Sequence, residues 1–140
     1  MIEFLKVICL CHDVTKVTNA DGKTFFTGPS QDELCLIDMA ASTGLVEFID
    51  RDSASLKIKV EGKLEEYRSI KFYDFTSARK MMTRIVQNVE TGKVMVLCKG
   101  ADGPIIQRCI PRELMQRHGP VLANQGRFDK FDEEERAIVE

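Results

Sequence analysis

The chain has 140 residues, a length that fits one domain able to bury a single core. Apolar residues make up 44% and charged residues 30%, as in an ordinary soluble globular protein. The net charge of −2 gives no electrostatic basis for binding nucleic acid or an acidic membrane surface, and no apolar run approaches the ~20 residues that a membrane span needs. Residues 2–11 are apolar enough for a short buried helix or strand. Met1–Leu10 carries Glu3 and Lys6 and lacks a basic leading region, so it does not read as a signal peptide. Thr18–Pro29 is polar and turn-rich, with Asp21-Gly22 as its turn signal. Ser30-Gln31-Asp32-Glu33 has the form of a capping box, and Leu34, Ile37, Met39, Ala40 and Ala41 continue it as an apolar helical face up to Gly44. This predicts a helix over 30–43.

Ser55–Glu61 alternates Leu56, Ile58 and Val60 with Lys57, Lys59 and Glu61, the pattern of a half-buried strand. Glu61-Gly62 turns the chain, and Leu64–Tyr73 returns with Ile70 and Phe72 expected on one face. Met81–Val89 and Lys93–Lys99 read as a second hairpin joined through Glu90-Thr91-Gly92. Asp102–Cys109 reads as a helix that tolerates Pro104 in its first turn. Pro111, Gly119 and Pro120 then break the pattern, and Asp132–Val139 looks helical and charged. The sum is an α+β domain: an antiparallel sheet flanked by helices.

Five cysteines at irregular spacing do not form a disulfide framework and point to a reducing, cytosolic setting. Cys9-x-Cys11-His12 invites a zinc reading, but there is no second ligand pair and His118 is remote, so no metal site is expected. Nothing marks an activated thiol for a Cys–His enzyme. Both glycine-rich phosphate loops are absent.

Three places could carry chemistry. Lys99-Gly100-Ala101-Asp102 follows a strand and precedes a helix. It is either a simple turn with a solvated lysine or a close backbone approach with the lysine reaching into a cleft. Phe75-Thr76-Ser77 before Arg79-Lys80 is either a core aromatic with a solvated strand end or a stacking platform for a base beside its phosphates. Glu33 either completes the capping box or accepts a hydrogen bond from an adenine amino group. Local pattern favours the structural alternative in each case.

The blocks occur in an order that resembles the nucleotide-binding domain of P-type ATPases of the phospholipid-transporting, or flippase, branch. Cys11-His12-Asp13-Val14 resembles that family's Cys-His-Thr-Val, and Ser30-Gln31-Asp32-Glu33 its Ser-Pro-Asp-Glu. Phe75-Thr76-Ser77-Ala78-Arg79-Lys80-Met81-Met82 resembles its Phe-Thr-Ser-x-Arg-Lys-Arg-Met. Lys99-Gly100-Ala101-Asp102 matches its Lys-Gly-Ala-Asp, where cation pumps more often have Pro at the fourth place. The resemblance covers about residues 4–110 of a single 1–140 domain. Residues 111–140 match only by position.

The resemblance implies ATP as ligand, with magnesium in the full enzyme. Phe75 would stack on the adenine, Glu33 would face its amino group while capping its helix, and Lys99 would form the floor. Lys80 would lie towards the phosphates, and Ser77, Gly100 and Ala101 would shape the wall. It implies a cytoplasmic, monomeric piece of a multi-pass membrane enzyme. The partners would be that enzyme's phosphorylation, actuator and transmembrane domains, and an aspartate in the phosphorylation domain would receive the γ-phosphate. That aspartate's Asp-Lys-Thr-Gly-Thr motif is absent here, so binding without catalysis is expected, at a Kd of ~0.1–1 mM.

The chain departs from the pattern at Gln31, at Met81 (a charge lost near the site) and at Thr83-Arg84, which places a charge where a strand interior is expected. Two alternatives remain: the same domain of a cation or orphan pump, or a ligand-free interaction module. The module would use Met81, Met82 and Asp132-Glu133-Glu134-Glu135 as contact surfaces.

Overall fold

The computed structural model describes residues 1–108, residue 107 by its backbone alone. The chain divides after Gly100. The first unit contains helix α1 (Ile2–Leu10), strands β1 (Thr15–Thr18) and β2 (Thr24–Thr27), helix α2 (Gln31–Ser42), and strands β3 (Val46–Arg51), β4 (Ser55–Val60), β5 (Lys63–Tyr73), β6 (Met81–Asn88) and β7 (Val94–Gly100). β3 to β7 form one antiparallel meander in chain order, and β1 and β2 form a separate two-stranded ladder. The expected α+β architecture is what these residues adopt.

The sheet follows from local chemistry. Leu56, Ile58 and Val60 on β4 turn inward while Lys59 stays outside. Glu61 and Gly62 take positive φ in the β4–β5 turn, which glycine accepts without strain. α1 packs its Leu5, Ile8, Cys9 and Leu10 face on β3, β4 and β7, and α2 lies against α1 and β3. These helices and Val46, Phe48, Tyr67, Met82, Val86 and Leu97 of the sheet share one core. α2 ends as its sequence suggests: Thr43 Oγ1 donates to Ala40 O at 2.6 Å and Gly44 takes φ +70°.

Several expectations change. The polar 18–29 stretch is mostly the β1–β2 hairpin. Its turn is organised by Asn19, whose Oδ1 accepts the amides of Asp21 (3.1 Å) and Lys23 (2.8 Å). β3, with Val46 and Phe48 buried and Glu47 outside, did not stand out in the sequence, because its alternation is cut short at Asp50-Arg51-Asp52. Ile70 and Phe72 do not share a buried face. The ladder slips between Ser69 and Lys71, leaving Ile70 exposed while Phe72 packs on the core. β6 is buried on both faces apart from Gln87, so Met81 and Met82 are interior residues and not a contact surface. The acidic 132–135 run and the helix expected over 132–139 lie outside the described residues, as do Pro111, Gly119, Pro120 and Cys109.

After Gly100, helix α3 (Asp102–Arg108) begins with the Ile105 amide on Ala101 O at 3.2 Å, and Pro104 sits in the first turn, where its missing N–H costs nothing. Among the described residues no helix is long and apolar enough to cross a membrane.

Candidate functional site

The turn between β5 and β6 is built from Asp74 to Lys80. Asp74 Oδ1 accepts the Phe75 amide at 2.7 Å. Thr76 closes the turn twice, its carbonyl accepting the Lys80 amide at 2.7 Å and its Oγ1 the Arg79 amide at 3.2 Å. Lys80 takes φ +53° to re-enter the sheet. The result displays Phe75, half of whose surface is open, together with Ser77 and Lys80. Arg79 leaves this group. Its Nη2 donates to Thr83 Oγ1 at 2.9 Å and its guanidinium lies 5.4 Å from the Tyr73 ring centroid. The Arg79-Lys80 pair is thus divided between a packed cation and an exposed one.

The β6–β7 register sets Met81 opposite Gly100 and Met82 opposite Lys99. The displayed turn and the Lys99-Gly100 pair therefore share one end of the sheet. Gly100 is there for close approach. A Cβ on it would lie 2.4 Å from both Lys80 O and Met81 Cβ, so the neighbour that excludes a side chain is the start of β6. Ala101 follows as an exposed residue.

Glu33 is not a capping residue. Ser30 makes no side-chain cap hydrogen bond. The Glu33 carboxylate is buried and looks away from the helix end: Oε1 accepts from Lys99 Nζ at 2.9 Å and Oε2 from the Asp13 amide at 3.1 Å. A buried carboxylate gains more from a cation and an amide than from a solvated helix terminus, because the low local dielectric strengthens both contacts. This pair joins positions 66 residues apart in the sequence and leaves the Lys99 side chain partly buried and paired rather than freely solvated.

The segment between α1 and β1 supplies the other supports. His12 is buried between Cys9 O, to which Nε2 donates (2.9 Å), and the Val14 amide, which donates to Nδ1 (2.9 Å). With one ring nitrogen donating and the other accepting, the imidazole is neutral. Burial pushes its pKa down to about 3. It also stands edge-on to Phe48 at 4.4 Å. Cys11 Sγ points to Leu97 O at 3.4 Å, and burial pushes both Cys9 and Cys11 up to about 12. These are inert interior thiols, which removes support for a cysteine enzyme. Cys35, by contrast, is exposed. No group of His, Cys, Asp and Glu able to hold a metal occurs among the described residues.

Arg84 stands in the strand interior, 4% exposed. Its Nη2 donates to His12 O at 2.7 Å, its Nη1 to Ser69 Oγ at 3.2 Å, and its guanidinium lies 4.0 Å from the Phe72 ring centroid. Thus Glu33 pairs with Lys99, Phe75, Ser77 and Lys80 share one turn, and Gly100 lies against the end of that turn at Lys80 and Met81. The parts that sequence reasoning did not assign are main-chain or buried ones: the Asp13 amide, the His12 knot and the Arg84 anchor. The Cys11-His12-Asp13-Val14 block and the Thr83-Arg84 departure were their only signals.

A family model described as "P-type ATPase, cytoplasmic domain N" matches residues 1–134. Phospholipid-transporting ATPase 2 of Arabidopsis thaliana is 33% identical over 106 residues, which is 76% of this chain and 10% of that protein. Phospholipid-transporting ATPase IC of Xenopus tropicalis is 35% identical over 109 residues, 78% of this chain and 8% of its own length. A phospholipid-transporting ATPase of Schizosaccharomyces pombe is 30% identical over 145 residues, covering 97% of this chain and 9% of itself. The chain spans about a tenth of the length of the curated relatives it matches.

Proposed function

The chain belongs to the P-type ATPase family as its cytoplasmic domain N, and on that premise we propose that it binds ATP on behalf of a phospholipid-transporting enzyme. Phe75 offers an open ring face on which adenine stacks, a contact of about 1–3 kcal/mol. The Glu33 carboxylate uses one lone pair of each oxygen on Lys99 and Asp13, which leaves acceptor capacity for an adenine amino group. Lys99, fixed by Glu33, forms the floor. Lys80, exposed at the end of the same turn as Phe75, gives the phosphates a cation. Ser77, Gly100 and Ala101 complete the wall. The observation that carries this reading is the Lys99–Glu33 pair at 2.9 Å, since it holds two residues chosen for one ligand in a single buried arrangement.

In the whole enzyme the domain would present the γ-phosphate, with its magnesium, to an aspartate in a separate phosphorylation domain, and the acyl-phosphate would drive lipid movement. The relatives' names support phospholipid as the cargo. This chain's own work is to bind and orient the nucleotide. The test is an amide NMR titration with ATP, without and then with magnesium. Shifts clustered at Glu33, Phe75, Lys80 and 99–101, lost in Phe75→Ala and Lys99→Ala, support the reading. A folded protein whose amides stay still at several-fold the expected Kd overturns it.

A further inference from the structure

We propose that a second site, distinct from the nucleotide site, binds a tetrahedral oxyanion, a phosphate group, in the cleft beside Arg84. The cleft has a volume of about 500 Å³, and its lining includes Arg51, Asp52, Ser53, Ser69, Lys71 and Arg84. That is room for a phosphate and a small carrier.

Three cations, of which Arg51 is paired with Asp13, and the hydroxyls of Ser53 and Ser69 line it together with the Asp52 carboxylate. Arg84 is the central cation. Its guanidinium is almost wholly buried, yet both acceptors it reaches, His12 O and Ser69 Oγ, are uncharged, and its Nε meets no acceptor among the described residues. A buried cation satisfied only by neutral groups is electrostatically incomplete. Burial, and then the charge of Arg51, hold it down at about 10 rather than its usual value.

The nearby acids are already engaged. Asp13 pairs with Arg51 at 2.6 Å. Asp52 accepts the amides of Ala54 and Ser55 and the Ser55 hydroxyl, so its oxygens are held in its own turn, although its charge remains at the edge of the cleft. Ser69 accepts from Arg84, which leaves its hydroxyl proton to donate. Lys71 is exposed at the rim, 5.6 Å from the Tyr73 ring centroid. An oxyanion here would take the Lys71 ammonium and the Ser69 and Ser53 hydroxyls, with the buried Arg84 guanidinium adding its charge from behind Ser69. Charge-assisted donors of this kind suit the three oxygens of a phosphate.

The experiment titrates the labelled protein with inorganic phosphate, and in a second arm with glycerol 3-phosphate, against sodium chloride at matched ionic strength. Expected are saturable shifts of the amides of Ser53, Ser69, Lys71 and Arg84, with Kd raised at least about tenfold in Lys71→Glu and in Arg84→Val. Phe75→Ala should bind phosphate unchanged, and Lys71→Glu should keep its ATP-induced shifts at Phe75 and Lys99, which separates this site from the nucleotide site. Lys71 is exposed, so its variant tests the proposal even where Arg84→Val does not fold. Tighter binding of the ester identifies an esterified phosphate as occupant, and equal binding identifies the free ion. Shifts no larger than those caused by chloride, shifts confined to 75–80 and 99, or unchanged affinity in the folded variants would each overturn the proposal.

Discussion

Lys99→Met should destabilise the folded domain by about 2 kcal/mol. The substitution keeps the stem and its packing but leaves Glu33 Oε1 without its cation. Abandoning the partner of a fully buried charge costs about 3–5 kcal/mol. Here the figure is reduced on two grounds. The pair is not fully enclosed, since the Lys99 side chain is 21% exposed and its charge is partly screened, and the Asp13 amide still holds Oε2. Urea unfolding at neutral pH reads the change as a midpoint lowered by about 1 M at unchanged slope, and thermal unfolding as a Tm lower by about 6 °C. The Glu33→Gln single variant and the Glu33→Gln/Lys99→Met double variant complete a cycle, in which the double should recover about 1–2 kcal/mol relative to the sum of the singles. A coupling energy below about 0.3 kcal/mol would show that the two side chains are merely neighbours, and the account of a preorganised pocket floor would fail with it.

The same geometry sets three other expected outcomes. His12 is held neutral with a pKa near 3 against about 6.5 in the unfolded chain, so the unfolded state binds the extra proton between those values. Stability should therefore fall as pH drops through that window, approaching ~1.4 kcal/mol per pH unit from this residue, and His12→Gln should flatten the slope by up to one proton in denaturant titrations run at several pH values. Gly100→Ala would force its Cβ into Lys80 O and Met81, part β6 from β7 and cost about 1–3 kcal/mol, read as a lower Tm. Peptide-resolved alkylation of the native protein should label exposed Cys35 quickly and reach Cys9 and Cys11 only at the rate of unfolding.

The hairpins were legible in the sequence because alternation and positive-φ glycines are local signals: Leu56, Ile58 and Val60 announce β4, and the turns at Gly62 and Gly92 close it and its successor. Helix α2 was legible for the same reason. The features that escaped were set by distance along the chain. The capping-box pattern around Glu33 is genuine as a pattern, but its carboxylate is claimed by Lys99, 66 positions away, and no local window contains that competitor. The Ile70 placement failed because a bulge inserts one residue and reverses the face of every residue after it on the strand. Arg84 read only as a departure, since its contacts are a main-chain carbonyl, a serine hydroxyl and an aromatic ring rather than a side chain of opposite charge.

The His12 segment has a consequence for how this chain can change length. Within four residues it delivers the Cys11 thiol to Leu97, the His12 ring to Cys9 and Val14, the His12 carbonyl to Arg84 and the Asp13 amide to Glu33. One residue added or removed there would exchange donors for acceptors along the whole series, and no side-chain substitution could restore them. A little further on, the exposed Asn19–Lys23 turn makes its hydrogen bonds within itself, as far as the described residues go. Insertions in this family member should therefore gather at the tip of the β1–β2 hairpin and be missing from the stretch that leads into it, so the spacing of the Cys-His-Asp-Val block is a stricter constraint than its composition.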